Sequence, residues 1–340
     1  MFRILLVLGL TVTLSALSFP IAFTVLRQME HPLRLADFLR RTGCCPTDER
    51  NNTIGYNLVS LAGFTSSTTL ASLRQSASPL ALWLDAFNAI AGGKVLTAGK
   101  DNSQVQKYLL EQFHTGRARL LMNALANEIV VSGGSVDAAE LARRMAGVVR
   151  EGQLDGVSIE FDDYHAVAKG TAGPWLSTLL TTLRRELPSS TIVLVLPVTV
   201  LTSNSWQGHQ INWQADYFVL KYFDQAKAAF TSVDSLVDSS PEYPGTAMME
   251  LQRLPTLPID LCRAIIAKPA SPQPARNSAA FMDSNTLNQA FQRRQGQLGW
   301  FGGYANLDHE SDLDGSFQRR VLENLRDNCF RNGDCFCYSH

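Results

Sequence analysis

The segment Asp155-Gly156-Val157-Ser158-Ile159-Glu160-Phe161-Asp162-Asp163-Tyr164 sets carboxylates into an apolar run. In a strand, side chains alternate between faces, so Ser158, Glu160 and Asp162 share one face and Val157, Ile159 and Phe161 the other. Two carboxylates two residues apart on one face resist simultaneous ionisation unless donors or water compensate. A carboxylic acid that keeps its proton near neutral pH is what general acid catalysis uses. The segment therefore offers Asp162, Glu160 and Asp155 as candidate catalytic residues for general acid work, beside the plainer reading of an acidic strand end that leads into a solvated loop. Other catalytic layouts are missing: the sequence holds no Gly-x-Ser-x-Gly and no His-Glu-x-x-His. His165, His209 and His309 stand alone and read as loop residues.

The surrounding pattern says what positions these groups. Short apolar runs alternate with helical periodicity from Ile54 onward. Strands are expected at Tyr56–Phe64, Lys94–Ala98, Leu154–Phe161, Thr191–Val200, Tyr217–Tyr222, Ala264–Ala267 and Gln297–Phe301. Helices are expected at Gln106–Phe113, Arg117–Val131, Val136–Val149, Trp175–Leu187, Asn285–Arg294 and Gly315–Asp327. Nearly all-apolar strands separated by helices argue for a parallel sheet covered on both sides. The number of strands and the lack of a glycine-rich nucleotide loop favour an α/β fold of the (β/α)8 TIM-barrel type over an open sheet. In such a barrel, active sites lie at the C-terminal ends of the strands, where Asp155, Glu160 and Asp162 are expected. The eighth strand falls either between Pro79 and Phe87, where LALWLDAFNAI also looks helical, or at Phe19–Val25.

The acidic segment resembles the signature strand of glycoside hydrolase family 18, the chitinases and their relatives, which reads Asp-Gly-x-Asp-x-Asp-x-Glu. Without gaps, Asp155 and Gly156 match. Ser158 replaces the second Asp, Glu160 stands for the third and Asp162 for the catalytic Glu. GGKVLTAGK at Gly92–Lys100 is similar to the family's third strand, LVLPVT at Leu194–Thr199 to the fifth and FVLKYFD at Phe218–Asp224 to the sixth. In the sixth strand's Met-x-Tyr-Asp motif, Tyr222 matches the Tyr, and the Asp is Phe223 or, displaced by one, Asp224. GWFGGY at Gly299–Tyr304 is similar to the last strand, where Trp300 or Tyr304 would lie under a sugar. The resemblance covers Tyr56–Asp308. It implies hydrolysis of β-1,4-linked N-acetylglucosamine glycans by an acid, Asp162, with the substrate's own acetamido oxygen as nucleophile. Glu160 would orient that group, and Ser158, Tyr164, Tyr222, Asp224, Trp300 and Tyr304 would contact substrate. No cofactor and no metal are implied. The altered motif leaves two alternatives open: a non-catalytic, lectin-like carbohydrate-binding barrel, and a barrel used for protein interaction. Trp206, Trp213 and Phe223 are further aromatic side chains near predicted strand ends that can cover a pyranose face.

Composition fits an extended globular core. The 340 residues are 45% hydrophobic and 18% charged, with a formal net charge of -1. A near-neutral balance lacks the long-range attraction of a general nucleic-acid binder. The uncharged run Ile4–Leu26, between Arg3 and Arg27, reads as a signal peptide or a signal-anchor. The expected division is residues 1–26 as this leader, 27–53 as a polar segment, 54–325 as the barrel and 326–340 as a cysteine-containing tail. The chain is thus expected to be secreted, or attached to a membrane through residues 4–26 and facing the lumen or exterior. Cys44, Cys45, Cys262, Cys329, Cys335 and Cys337 are candidates for disulfides. The tail cysteines lack the pair spacing usual for zinc. Asn51 begins a glycosylation sequon, Asn51-Asn52-Thr53.

Overall fold

The structure is a computed structural model. It describes residues 54–60, 80–85, 88–91, 94–97, 119–127, 136–202, 214–223, 229–254, 264–272, 280–298, 303–307 and 316–332, and the single positions 211, 257, 259, 261 and 312. Asn51, Cys44, Cys45, Cys262, Cys335, Cys337, Trp206, Trp213, Asp224, Trp300, His209 and His309 lie outside the described residues, as does the side chain of Cys329.

Ten strands and seven α-helices are described. The strands are β1 (Ile54–Ser60), β2 (Leu80–Asp85), β3 (Asn88–Ala91), β4 (Lys94–Thr97), β5 (Arg119–Asn127), β6 (Gly156–Asp162), β7 (Thr191–Pro197), β8 (Tyr217–Lys221), β9 (Ala264–Ala267) and β10 (Gly303–Asn306). The helices are α1 (Ala138–Glu151), α2 (Tyr164–Ala168), α3 (Ala172–Glu186), α4 (Val233–Val237), α5 (Met248–Gln252), α6 (Ser284–Leu298) and α7 (Ser316–Asn332). Eight strands close into a barrel in the order β1-β2-β5-β6-β7-β8-β9-β10, with β10 returning to β1. Every neighbouring pair is parallel. This is the (β/α)8 architecture that the strand series predicts.

Alternation divides the core into two. Outward residues such as Met122, Ala124, Val157, Ile159, Phe161, Leu194, Leu196, Phe218 and Leu220 meet the helices in one large cluster. Inward residues Leu121, Val193, Val195, Val219, Ile265, Ala267 and Ala305 form a second cluster inside the barrel. The helices present matching stripes. In α1, Leu141, Ala142, Met145, Ala146 and Val149 are buried, and Asp137 caps the start by accepting from Glu140 N. In α3, Leu176, Leu179, Leu180 and Leu183 are buried, and the helix ends ahead of Pro188.

Three expectations are corrected. Arg119–Asn127 is the barrel's third strand and not part of a helix. Its apolar residues meet both core layers, so they fit a strand as well as a helix. The eighth strand falls at the first of its two expected places, as Leu80–Asp85, where the unbroken apolar run has the same ambiguity. Lys94–Thr97 is no barrel strand. It pairs antiparallel with Asn88–Ala91, with Ala91 opposite Lys94. Gly92-Gly93 lies between those partners in sequence, the signal of a two-residue hairpin. The match of Gly92–Lys100 to a third barrel strand therefore falls away. The strand expected at Gln297–Phe301 also moves, to Gly303–Asn306.

Among the described residues no helix is long and apolar enough to cross a membrane. That finding corrects the expected membrane attachment; residues 4–26 themselves lie outside the described residues.

Candidate active site

β6 is the fourth strand of the barrel. It enters beside β7 so closely that a Cβ on Gly156 would lie 1.9 Å from the Thr191 carbonyl oxygen. The glycine of the acidic segment is therefore needed for strand packing. From there the strand carries Ser158, Glu160 and Asp162 inward in turn. Ser158 is fully buried and level with Asn123 of β5. Glu160 is level with Leu125, and Asp162 is the strand's last residue. Side-chain exposure rises along the strand, to 22% at Glu160 and 43% at Asp162. Asp163 then turns its carboxylate away, accepting from Ala166 N at 2.7 Å to cap α2. Tyr164 follows as an exposed residue beside the strand end.

The compensating cation comes from β8. Lys221 Nζ donates to Glu160 Oε1 at 3.1 Å and lies 3.7 Å from Asp162 Oδ1. β7 stands between the two strands, and two strand spacings are about 10 Å, a gap only a long side chain bridges. Lys221 is 8% exposed, so its charge is held inside the barrel mouth. Phe223, next on the same face, packs on the interior apolar cluster, as does Leu307. Leu125 is 39% exposed beside Glu160. The mouth thus combines two carboxylates, one ammonium and apolar surface, a combination able to bind a sugar by hydrogen bonds and face contact.

Three expected site residues are placed elsewhere. Asp155 precedes β6, and its carbonyl accepts from Thr191 N. Seven residues of strand, about 23 Å, separate it from Asp162, so it does not join the acidic pair. Tyr222 and Tyr304 are fully buried in the outer layer between strands and helices. Alternation explains this: Lys221 and Phe223 take the inward positions around Tyr222, and Ala305 is the inward residue beside Tyr304. Both tyrosines instead brace the strand exits. Lys268 Nζ donates to the carbonyls of Tyr222 and Phe230, and Tyr304 Oη donates to the Lys268 carbonyl. Burial, with the Asp312 charge adding, holds the Tyr304 phenol well above its ordinary range.

Sequence reasoning missed Lys221 and Leu125. The signal for Lys221 was present, as a lone charge in YFVLKY sharing its face with Val219. Among the described residues no group of three or more His, Cys, Asp or Glu is placed to hold a metal ion.

No protein-family model matches the chain, and no curated protein does. Solved structures do. A family 18 chitinase from Pseudoalteromonas aurantia superposes with a TM-score of 0.61 at 17% identity, covering 79% of this chain and 99% of that one. A family 18 chitinase from Cycas revoluta, in complex with (GlcNAc)4, gives 0.58 at 9% identity, with 81% and 99% covered. A family 18 N-acetylglucosaminidase from Paenibacillus barengoltzii gives 0.56 at 11%, with 82% and 100% covered. With these likenesses spanning the barrel, and the acidic strand fourth in it, the chain has the fold of the family 18 chitinases.

Proposed function

We propose that the chain is a chitinase-like glycoside hydrolase of low turnover, acting on β-1,4-linked N-acetylglucosamine glycans at the C-terminal mouth of the barrel. The observation that carries this reading is the inward pair Glu160 and Asp162 at the end of the fourth strand. In the proposed reaction Asp162 gives its proton to the glycosidic oxygen as the bond to the anomeric carbon breaks. The acetamido oxygen of the same sugar closes on that carbon. Water then opens the ring so formed, and its proton returns to Asp162. Glu160 faces the acetamido group and offsets the positive charge that develops on it. Leu125 and Phe223 supply apolar surface for the sugar faces, with Tyr164 at the edge. Asp224 and Trp300, outside the described residues, remain part of the proposed contacts.

Low turnover follows from Asp162. Its carboxyl stands about 1.5 Å further back than a Glu carboxyl would, and a misplacement of about 1 Å can cost about 10²-fold in rate. A second reading, carbohydrate binding without cleavage, is favoured by Lys221: an ion pair is made by a carboxylate, whereas general acid catalysis needs the acid. The leader, the sequon at Asn51 and the six cysteines belong to the same proposal, in which the chain works in an oxidising compartment after secretion.

N-acetylglucosamine oligomers assayed for turnover and titrated for binding test both readings. Cleavage supports the hydrolase, and binding without cleavage supports the second reading. Neither would leave only the fold.

A further inference from the structure

We propose that Lys221 limits turnover by occupying, as a built-in counter-ion, the face of Glu160 that the reacting acetamido group would use. This rests on the hydrolase reading above and deepens it. The sixth strand puts a cation where only a long side chain reaches, and that cation bonds Glu160 Oε1 at 3.1 Å with Asp162 Oδ1 3.7 Å away. Glu160 can stabilise the growing positive charge only if that charge develops within hydrogen-bond reach of its carboxylate. The ammonium already holds Oε1, one of that carboxylate's two oxygens, and at 8% exposure water screens it weakly. Two like charges on one carboxylate repel each other as the transition state forms, while the ground state, with a neutral acetamido group, feels little of this. The effect therefore falls on kcat more than on binding. A purely structural role for the pair makes the opposite statement: losing Lys221 would strand two carboxylates and would not speed any reaction.

The full chain is compared with Lys221→Met, Lys221→Gln and Lys221→Arg, using the N-acetylglucosamine hexamer as probe. Turnover is measured by product release, binding by calorimetric titration and folding by circular dichroism. The expected result is a kcat at least about tenfold above wild type in Met and Gln, with Kd within about threefold and Arg no faster than wild type. Folded Met and Gln variants that bind but turn over no faster overturn the proposal and leave the hydrolase reading standing if wild type cleaves. An Arg variant as fast as Met overturns charge as the cause. Loss of fold in both neutral variants assigns Lys221 to structure and overturns it too. Failure of the wild type to bind the hexamer defeats the functional reading, and the inference with it.

Discussion

A carboxylate at the end of a strand becomes useful when its neighbours decide how far it reaches and what it faces. Glu160 and Asp162 reach the mouth with the longer side chain first and the shorter last, the reverse of the signature they resemble. On the proposed hydrolase reading, each side chain would therefore end at a different depth from the one that the signature's order gives. Asp162→Asn keeps the shape and removes the proton that Asp162 would donate. It is expected to lower kcat by at least about 10²-fold while leaving oligomer binding within a few-fold, checked by product release and titration. A fully active Asn variant would remove Asp162 as the acid. Exchanging both lengths, with Glu160→Asp and Asp162→Glu together, should raise turnover beyond the sum of the single changes. The two side chains share one space, and neighbours of this kind couple. Equal and independent effects would show that they act apart.

At the scale of elements, the close approach of β6 to β7 and the bracing of the strand exits hold the mouth in shape. Gly156→Ala would drive a methyl group into the Thr191 backbone. It should destabilise the barrel by about 3 kcal/mol or prevent folding, read from urea unfolding. A loss under about 0.5 kcal/mol would mean that β7 can give way. Lys268 is the second device. Buried at the exit of β9, it bonds the carbonyls of Tyr222 and Phe230, and burial pushes its amine down from the usual 10.5 to about 7. Between those values the unfolded chain binds the proton and the folded chain does not, so stability rises with pH across that window. Below it both states are charged, and above it neither is. The stability difference between wild type and Lys268→Met should therefore climb with pH from about 7 upward, by at most about 1.4 kcal/mol per unit. Urea titrations from pH 6.5 to 10 measure it, and a flat difference would refute it.

At the scale of the molecule, closure of eight parallel strands leaves no sheet edge and puts all strand C-termini around one mouth. Removing residues 1–26 is expected to abolish secretion and leave the product inside the cell, checked by fractionation and immunoblotting. Unchanged secretion would refute the proposed route. The secreted chain should also run faster on non-reducing than on reducing gels, since bridges keep the unfolded chain compact; identical mobility would count against disulfides.

The sequence by itself determined the barrel's main rhythm and the inward face of β6. Period-two alternation and 3.6-residue stripes are local properties, carried by Gly156–Asp162, Ala138–Glu151 and Ala172–Glu186 alone. Runs with apolar residues at successive positions, such as Arg119–Asn127 and Leu80–Asp85, have no clear period, so only their pairing in the closed sheet made them strands. The same holds for Tyr222. Its motif match is a matter of spacing, but which way it points depends on the register of β8 against β7 and β9. The tertiary structure turned Tyr222 into the outer core and brought Lys221 to the acidic pair. The Glu160–Lys221 contact joins residues sixty-one positions apart, across a barrel interior that exists only once the sheet closes.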